Sequence, residues 1–131
     1  MDKVQAAQFA NSTGRFFQIL AGQVGDFLHQ NIDTLSDQQI SILSDDQTKL
    51  ITYSNTFFSL SDGIAFAGAD DYVQKVKDAT GQITDSLNKI KTVDKIINIS
   101  AGVISLAAGI VSANGGAILG SLQSITQAIK S

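Results

Sequence analysis

The sequence predicts an all-α fold, an antiparallel bundle of four or five helices that ends in a hydrophobic helical hairpin. Three observations lead to this prediction. Proline, the strongest helix breaker, is absent from all 131 residues. Apolar residues recur at three- and four-residue steps along most of the chain. The last quarter contains a long stretch, from Ile96 to Ile129, in which no side chain is charged.

The length and composition fit one helical domain over residues 1–131, with amphipathic helices over 1–92 and the apolar hairpin over 93–131. The absence of cysteine excludes disulfides and cysteine-based zinc sites. The net charge of −3 and the lack of a basic stripe with aromatics argue against nucleic acid as a partner. The first residues lack the features of a signal peptide. We therefore expect a soluble form that becomes membrane-associated, with export, where it occurs, by a non-classical route.

The first predicted helix covers residues 3–30. Its apolar positions follow one helical face. They include Phe9, Phe16, Leu20, Val24 and Phe27.

The second helix has the clearest predicted start. Ser36 and Gln39 form the Ser-x-x-Gln pattern of a capping box. The same pattern recurs at Ser44 and Gln47, so a start or an interruption there is the alternative. The adjacent acidic pair Asp45–Asp46 is then explained by a helix start, where the helix dipole favours negative charge.

Residues 59–69 are interpreted as a packed connection, with turn signals at Ser61-Asp62-Gly63 and at Gly68. A third helix is predicted to begin at Asp70 or Asp71. Whether this helix breaks at residues 92–96 or continues is left open. Its predicted apolar stripe consists of Tyr72, Val73, Val76, Ala79, Ile83, Leu87 and Ile90.

The uncharged segment divides into two predicted arms. Residues 96–113 have nearly the length of a membrane-spanning helix, which needs about 20 predominantly apolar residues. Asn114-Gly115-Gly116 is a strong turn signal. Residues 117–129 form a second, amphipathic arm that is too short to span a bilayer alone.

Small residues recur every four positions in both arms, a spacing that allows close packing against another helix. One row is Ala101, Ser105, Gly109 and Ala113; the other is Ala108, Ser112, Gly116, Gly120 and Ser124. We expect the segment to contact lipid or other copies of the chain. The predicted contact residues are Ile97, Ala101, Val103, Ile104, Ser105, Leu106, Gly109, Ile110, Val111, Ala113, Gly116, Ile118, Gly120 and Leu122.

No pattern for catalysis, a cofactor or a metal is predicted. His29 is the sole histidine, and nothing in the sequence places a serine nucleophile beside it. Asp26, His29 and Asp33 have a spacing that would suit a metal ion only if the first helix continued past residue 30. Asp33 is expected in the loop instead. We therefore predict that the protein is not an enzyme.

A charged amphipathic helix that leads into an uncharged Gly/Ala/Ser/Ile-rich hairpin resembles the α-helical pore-forming toxins of the cytolysin A and tripartite enterotoxin type. The resemblance covers about residues 70–131. It implies a hairpin that is folded away in the soluble form and enters lipid on activation. The leading hypothesis is thus a membrane-permeabilising protein that inserts residues 96–129 and oligomerises, with the membrane, copies of itself and further protein components as partners. The alternative is a structural or interaction protein that self-assembles into a homo-oligomer or filament through the same helix.

Overall fold

A computed structural model describes residues 3–60 and 72–130, and within these ranges the regular structure is entirely helical. This confirms the predicted all-α bundle. The turn signals at 61–63 and 68 and the predicted start at Asp70 or Asp71 lie outside the described residues. The helices are α1 (Lys3–Gln30), α2 (Asp37–Ser59), α3 (Val73–Ser86), α4 (Val93–Val111) and α5 (Gly115–Lys130).

The start of α2 is a complete capping box, as predicted. The backbone N–H of Gln39 donates to Ser36 Oγ at 3.1 Å, and the N–H of Ser36 donates to Gln39 Oε1 at 2.9 Å. The alternative start at Ser44 is wrong, because α2 runs through this position without interruption. Leu43 and Leu50 are seven residues apart and share one face of a continuous helix. Because both are fully buried there, apolar burial favours an unbroken α2.

α1 and α2 pack against each other as an antiparallel pair. The Phe17 and Phe57 rings meet edge-to-face, with centroids 4.9 Å apart. Ser54 Oγ donates to the carbonyl oxygen of Gly14 at 2.8 Å, so the buried hydroxyl is satisfied across the interface. A Cβ at Gly14 would lie 3.0 Å from the Phe58 ring, which explains why the smallest residue occupies this crossing.

The helix is interrupted between α3 and α4, where residues 90–92 are not helical. The sequence had left open whether the helix breaks at residues 92–96 or continues. After α3, a 3₁₀ turn covers Leu87–Lys89, and Ile90 is extended. Thr92 Oγ1 then accepts the N–H of Lys95 and caps α4. Leu87 and Ile90 remain buried although they lie outside both α-helices.

The α4–α5 turn lies earlier than predicted. It consists of Ser112, Ala113 and Asn114, while Gly115 already begins α5. The N–H of Asn114 donates to Gly109 O at 2.9 Å and that of Ala113 to Ile110 O at 3.1 Å, which together form a Schellman motif. Asn114 Oδ1 accepts the N–H of Ala117 and so caps α5. Gly115 and Gly116 are therefore the first residues of α5 rather than part of the turn, because the cap at Asn114 precedes them.

The two antiparallel pairs, α1–α2 and α4–α5, share one core. α4 packs on α5 and α2 and touches α1, whereas α5 packs on α3. Each described helix contributes large side chains that are fully or almost fully buried. These include Phe9, Phe17, Leu20, Leu43, Leu50, Phe57, Ile83, Ile96, Ile99, Leu106, Ile110 and Ile118.

Asp46 is a charged residue at the edge of this core. It lies in the middle of α2 and is buried, so the helix-start explanation for Asp45–Asp46 is wrong. Burial raises the pKa of the Asp46 carboxyl, the nearby Lys49 ammonium opposes the rise, and Asp45 adds to it. The ionised carboxylate therefore makes the fold less stable at neutral pH than a neutral group of similar shape would.

The substitution Asp46→Asn should raise the free energy of unfolding at neutral pH. The folded-state pKa lies above the unfolded value, so the wild-type penalty is full above the folded pKa and is relieved as the pH falls toward the unfolded value near 3.8. The advantage of Asp46→Asn should therefore shrink on acidification. Urea denaturation across this pH range measures it.

Asp45→Asn is the matched control, because it removes the same charge from an exposed neighbouring position. Equal stability changes for the two variants at neutral pH would contradict a burial penalty at Asp46, as would a gain that does not vary with pH.

Candidate functional site

Two glycines bring α4 and α5 into close contact. A Cβ at Gly102 would lie 2.8 Å from Ile125 Cγ1, and a Cβ at Gly109 would lie 3.2 Å from the backbone nitrogen of Ile118. The two contacts are seven residues apart on both helices, as an antiparallel pair requires. Residues 93–130 therefore form a closely packed hairpin, called the α4–α5 hairpin below.

The predicted contact residues divide between the two sides of this hairpin. Most of the large apolar ones are in the core, Ile97 and Ile104 are partly buried against it, and Val111 is exposed. Gly109 is also buried, and its neighbouring helix is α5 of the same chain. The core residues are Val103, Leu106, Ile110, Ile118 and Leu122. The exposed ones are Ala101, Ser105, Val111, Ala113, Gly116 and Gly120.

Between α4 and α5 an open groove of about 910 Å³ faces solvent. Among the described residues, its lining contains no charged and no large apolar side chain, only small residues and two amides. We call it the small-residue groove. Its exposed lining consists of Asn98, Ala101, Ser105 and Ala108 from α4, Ser112 from the turn, and Ala117, Gly120, Ser124 and Gln127 from α5.

The charges of the hairpin are all at one end. Asp94 and Lys95 lie in the first turn of α4, and Lys130 ends α5. Because the two helices are antiparallel, these three residues share the end that we call the base. The opposite end, residues 111–117, is called the tip, and it is uncharged. Val111 at the tip is 41% exposed.

Within the described residues, α4 is the one helix that is long and apolar enough to cross a membrane by length and composition. An 18-residue stretch of it has a mean hydropathy of 1.5, and half of that stretch is buried inside the fold. A core helix of a soluble protein has the same length and composition. By length and composition alone, α4 is therefore a candidate for a membrane span and equally for a core helix.

Two features of the hairpin were missed from the sequence. Gly102 makes the closest approach to α5, but the four-residue rows did not include it. Its seven-residue spacing from Gly109 is the signal that could have indicated it, because i and i+7 share a helix face. Ser100 is fully buried, and its Oγ has no hydrogen-bond partner among the described residues. Such a hydroxyl costs about 1–3 kcal/mol.

The geometry near His29 does not bring metal ligands together. His29 lies in the last turn of α1 and Asp33 in the following turn, and both are exposed. The part of the chain that the structure describes holds no group of three His, Cys, Asp or Glu side chains placed to bind a metal.

Comparison with protein-family models, with curated proteins and with solved structures finds no match for this chain. The functional assignment therefore depends on the physical properties of the hairpin.

The glycine contact predicts opposite effects for two Gly→Ala substitutions. Gly102→Ala forces a methyl group against Ile125 and should lower the free energy of unfolding by about 1–3 kcal/mol. Gly120→Ala is the matched control, since nothing lies within 4 Å of its Cβ position. It should raise stability by up to about 1 kcal/mol through helix propensity. Urea denaturation measures both, and a stabilising Gly102→Ala would refute the close contact.

Proposed function

We propose that the protein is membrane-active. Its α4–α5 hairpin leaves the bundle, enters lipid with the tip first, associates with hairpins of other copies and permeabilises the membrane. The observation that carries this proposal is the position of the charges. Asp94, Lys95 and Lys130 are all at the base. A hairpin that enters with the tip first moves no formal charge through the hydrocarbon core, where Lys or Asp at the centre costs about 2.5–3.5 kcal/mol or more.

The dimensions of the hairpin support the same function. With 19 residues, α4 is about 28 Å long, which is close to the hydrocarbon thickness of about 30 Å. α5 has 16 residues and is shorter. Lys130 at its end can extend its ammonium group toward the lipid headgroups.

The two sides of the hairpin also suit two environments. Ile99, Leu106 and Ile118 face the protein core, and acyl chains can replace that core without loss of an apolar contact surface. On the other side, the small-residue groove allows close approach of further helices. Its hydroxyl and amide groups can hydrogen-bond across such contacts.

A charge near the tip should block insertion, whereas the same charge near the base should not. Ala117 and Gln127 are both exposed, uncharged positions on α5, one near each end. Ala117→Lys should slow dye leakage from liposomes about 100-fold, which corresponds to about 3 kcal/mol of added barrier. Gln127→Lys should have little effect, because its side chain stays beside Lys130.

Both variants change the net charge equally, and circular dichroism tests that both keep the helical fold. Equal leakage from the two variants would contradict insertion of the tip. Leakage that is absent from the wild type itself, over a range of lipid compositions, would reject the membrane function.

The exposed small-residue groove favours a second function. In water, the same groove can receive a helix of another copy, which would make the protein a self-assembling structural or interaction module. Gly120 lines the groove and has open space at its Cβ position. It is therefore a better probe of assembly than Gly109, whose substitution would disturb the hairpin itself.

Gly120→Leu should dissociate a water-soluble oligomer if this second function is correct, because the side chain would fill the groove. Gly81→Leu on α3 is the matched control, since its Cβ position is also open. Size-exclusion chromatography with light scattering measures the mass of each variant. A monomeric wild type in water would reject the self-assembly function and leave the membrane function standing.

A further inference from the structure

One aromatic side chain contacts the tip of the hairpin at Gly115. Tyr72 lies so close to Gly115 that a Cβ there would be 2.9 Å from the phenol oxygen and 3.3 Å from the ring carbon Cε2. Tyr72 is partly buried and packs against the core. The contact joins the start of α3 to the first residue of α5.

The rest of the tip is open to solvent. Of residues 111–117, Gly115 alone is shielded to an intermediate degree, and the others are exposed. The nearest fully buried anchors are Ile110 and Ile118, on either side of the tip. Tyr72 therefore lies against the one residue of 111–117 that is not fully exposed.

Tyr72 contacts both the tip and the core. It occupies the N-cap position of α3 and makes no side-chain cap hydrogen bond. Its ring packs against the core and lies next to Gly115. Glycine at 115 is what allows the ring to approach, because any side chain there would displace the phenol group.

We infer that the Tyr72–Gly115 contact is a clasp that keeps the hairpin folded against the bundle and sets how readily it is released. This inference rests on the proposed membrane function, because release matters only if the free hairpin does something. Weakening the clasp should open the tip first, while α1 and α2 stay paired.

The absence of natural cysteines allows release to be measured separately from membrane activity. Ala107 is fully buried and lies five residues from Gly102, which puts it on the side of α4 that faces away from α5. Ala107→Cys is therefore a thiol reporter of hairpin release. Ala21→Cys, buried in α1, reports global unfolding.

Tyr72→Ala should accelerate labelling of the thiol at position 107 by about 5- to 30-fold, the effect of losing one or two kcal/mol. Labelling at position 21 should stay unchanged. Gly115→Leu should act in the same direction by pushing the ring away. Gly116→Leu is the matched control, since its nearest neighbour is Asn114 Oδ1 at an ordinary 3.6 Å. Tyr72→Phe keeps the ring and should label like the wild type.

The clasp is overturned if labelling at position 107 is unchanged in Tyr72→Ala, or if positions 21 and 107 accelerate equally. It is also overturned if Gly116→Leu matches Gly115→Leu. Selective labelling at 107 together with faster liposome leakage supports both the clasp and the membrane function. Selective labelling without any leakage supports the clasp and rejects the membrane function.

Discussion

The close approach of α4 and α5 through Gly102 and Gly109 decides which side chains of residues 93–130 lie in the core. No side chain from Ile96 to Ile129 is charged, so the large apolar groups of this segment have to be buried away from water. Because α4 and α5 pack against each other, each helix buries part of the other's surface. Most of the segment's large side chains lie on one side, where α1, α2 and α3 cover them, and the small side chains of the groove lie on the other. The hairpin is thus amphipathic without the use of charge.

The sequence predicted those features whose determinants are close together in the chain. The capping box at Ser36 needs only a partner three residues away, so it was found and is confirmed. The extent of α1 was predicted correctly because a continuous apolar stripe runs along it. The apolar hairpin was predicted because the loss of charge over 96–129 needs no three-dimensional information.

Other features could not be predicted, for distinct physical reasons. Glycine adopts positive φ angles easily, so Asn114-Gly115-Gly116 was interpreted as a turn. In the structure, the residue of the turn with a left-handed backbone conformation is Ala113, with φ 55°. The Tyr72–Gly115 contact joins residues far apart in the chain, and no local pattern indicates it. Asp46 was assigned to a helix start because an acidic pair is typical of that position. Its burial could not be predicted, since it depends on how α2 packs in the fold. The division of the small-residue rows between an internal contact and an exposed groove likewise depends on which way the hairpin faces.

Two energetic costs of the folded bundle differ in how they bear on the proposed release of the hairpin. The left-handed conformation of Ala113 costs about 1–2 kcal/mol. It belongs to the turn itself, so it is present whether or not the hairpin is docked. The unpaired hydroxyl of Ser100 is two residues from Gly102 and therefore on the side of α4 that faces away from α5. Its cost belongs to the interface between the hairpin and the bundle. Only interactions that differ between two states can shift the equilibrium between them. In the proposed insertion, acyl chains replace the core around Ser100 and leave its hydroxyl unpaired, so this cost is similar in both states. The balance for the proposed release is therefore set by the apolar burial and the Tyr72 contact that the hairpin loses and by the lipid contacts that it gains.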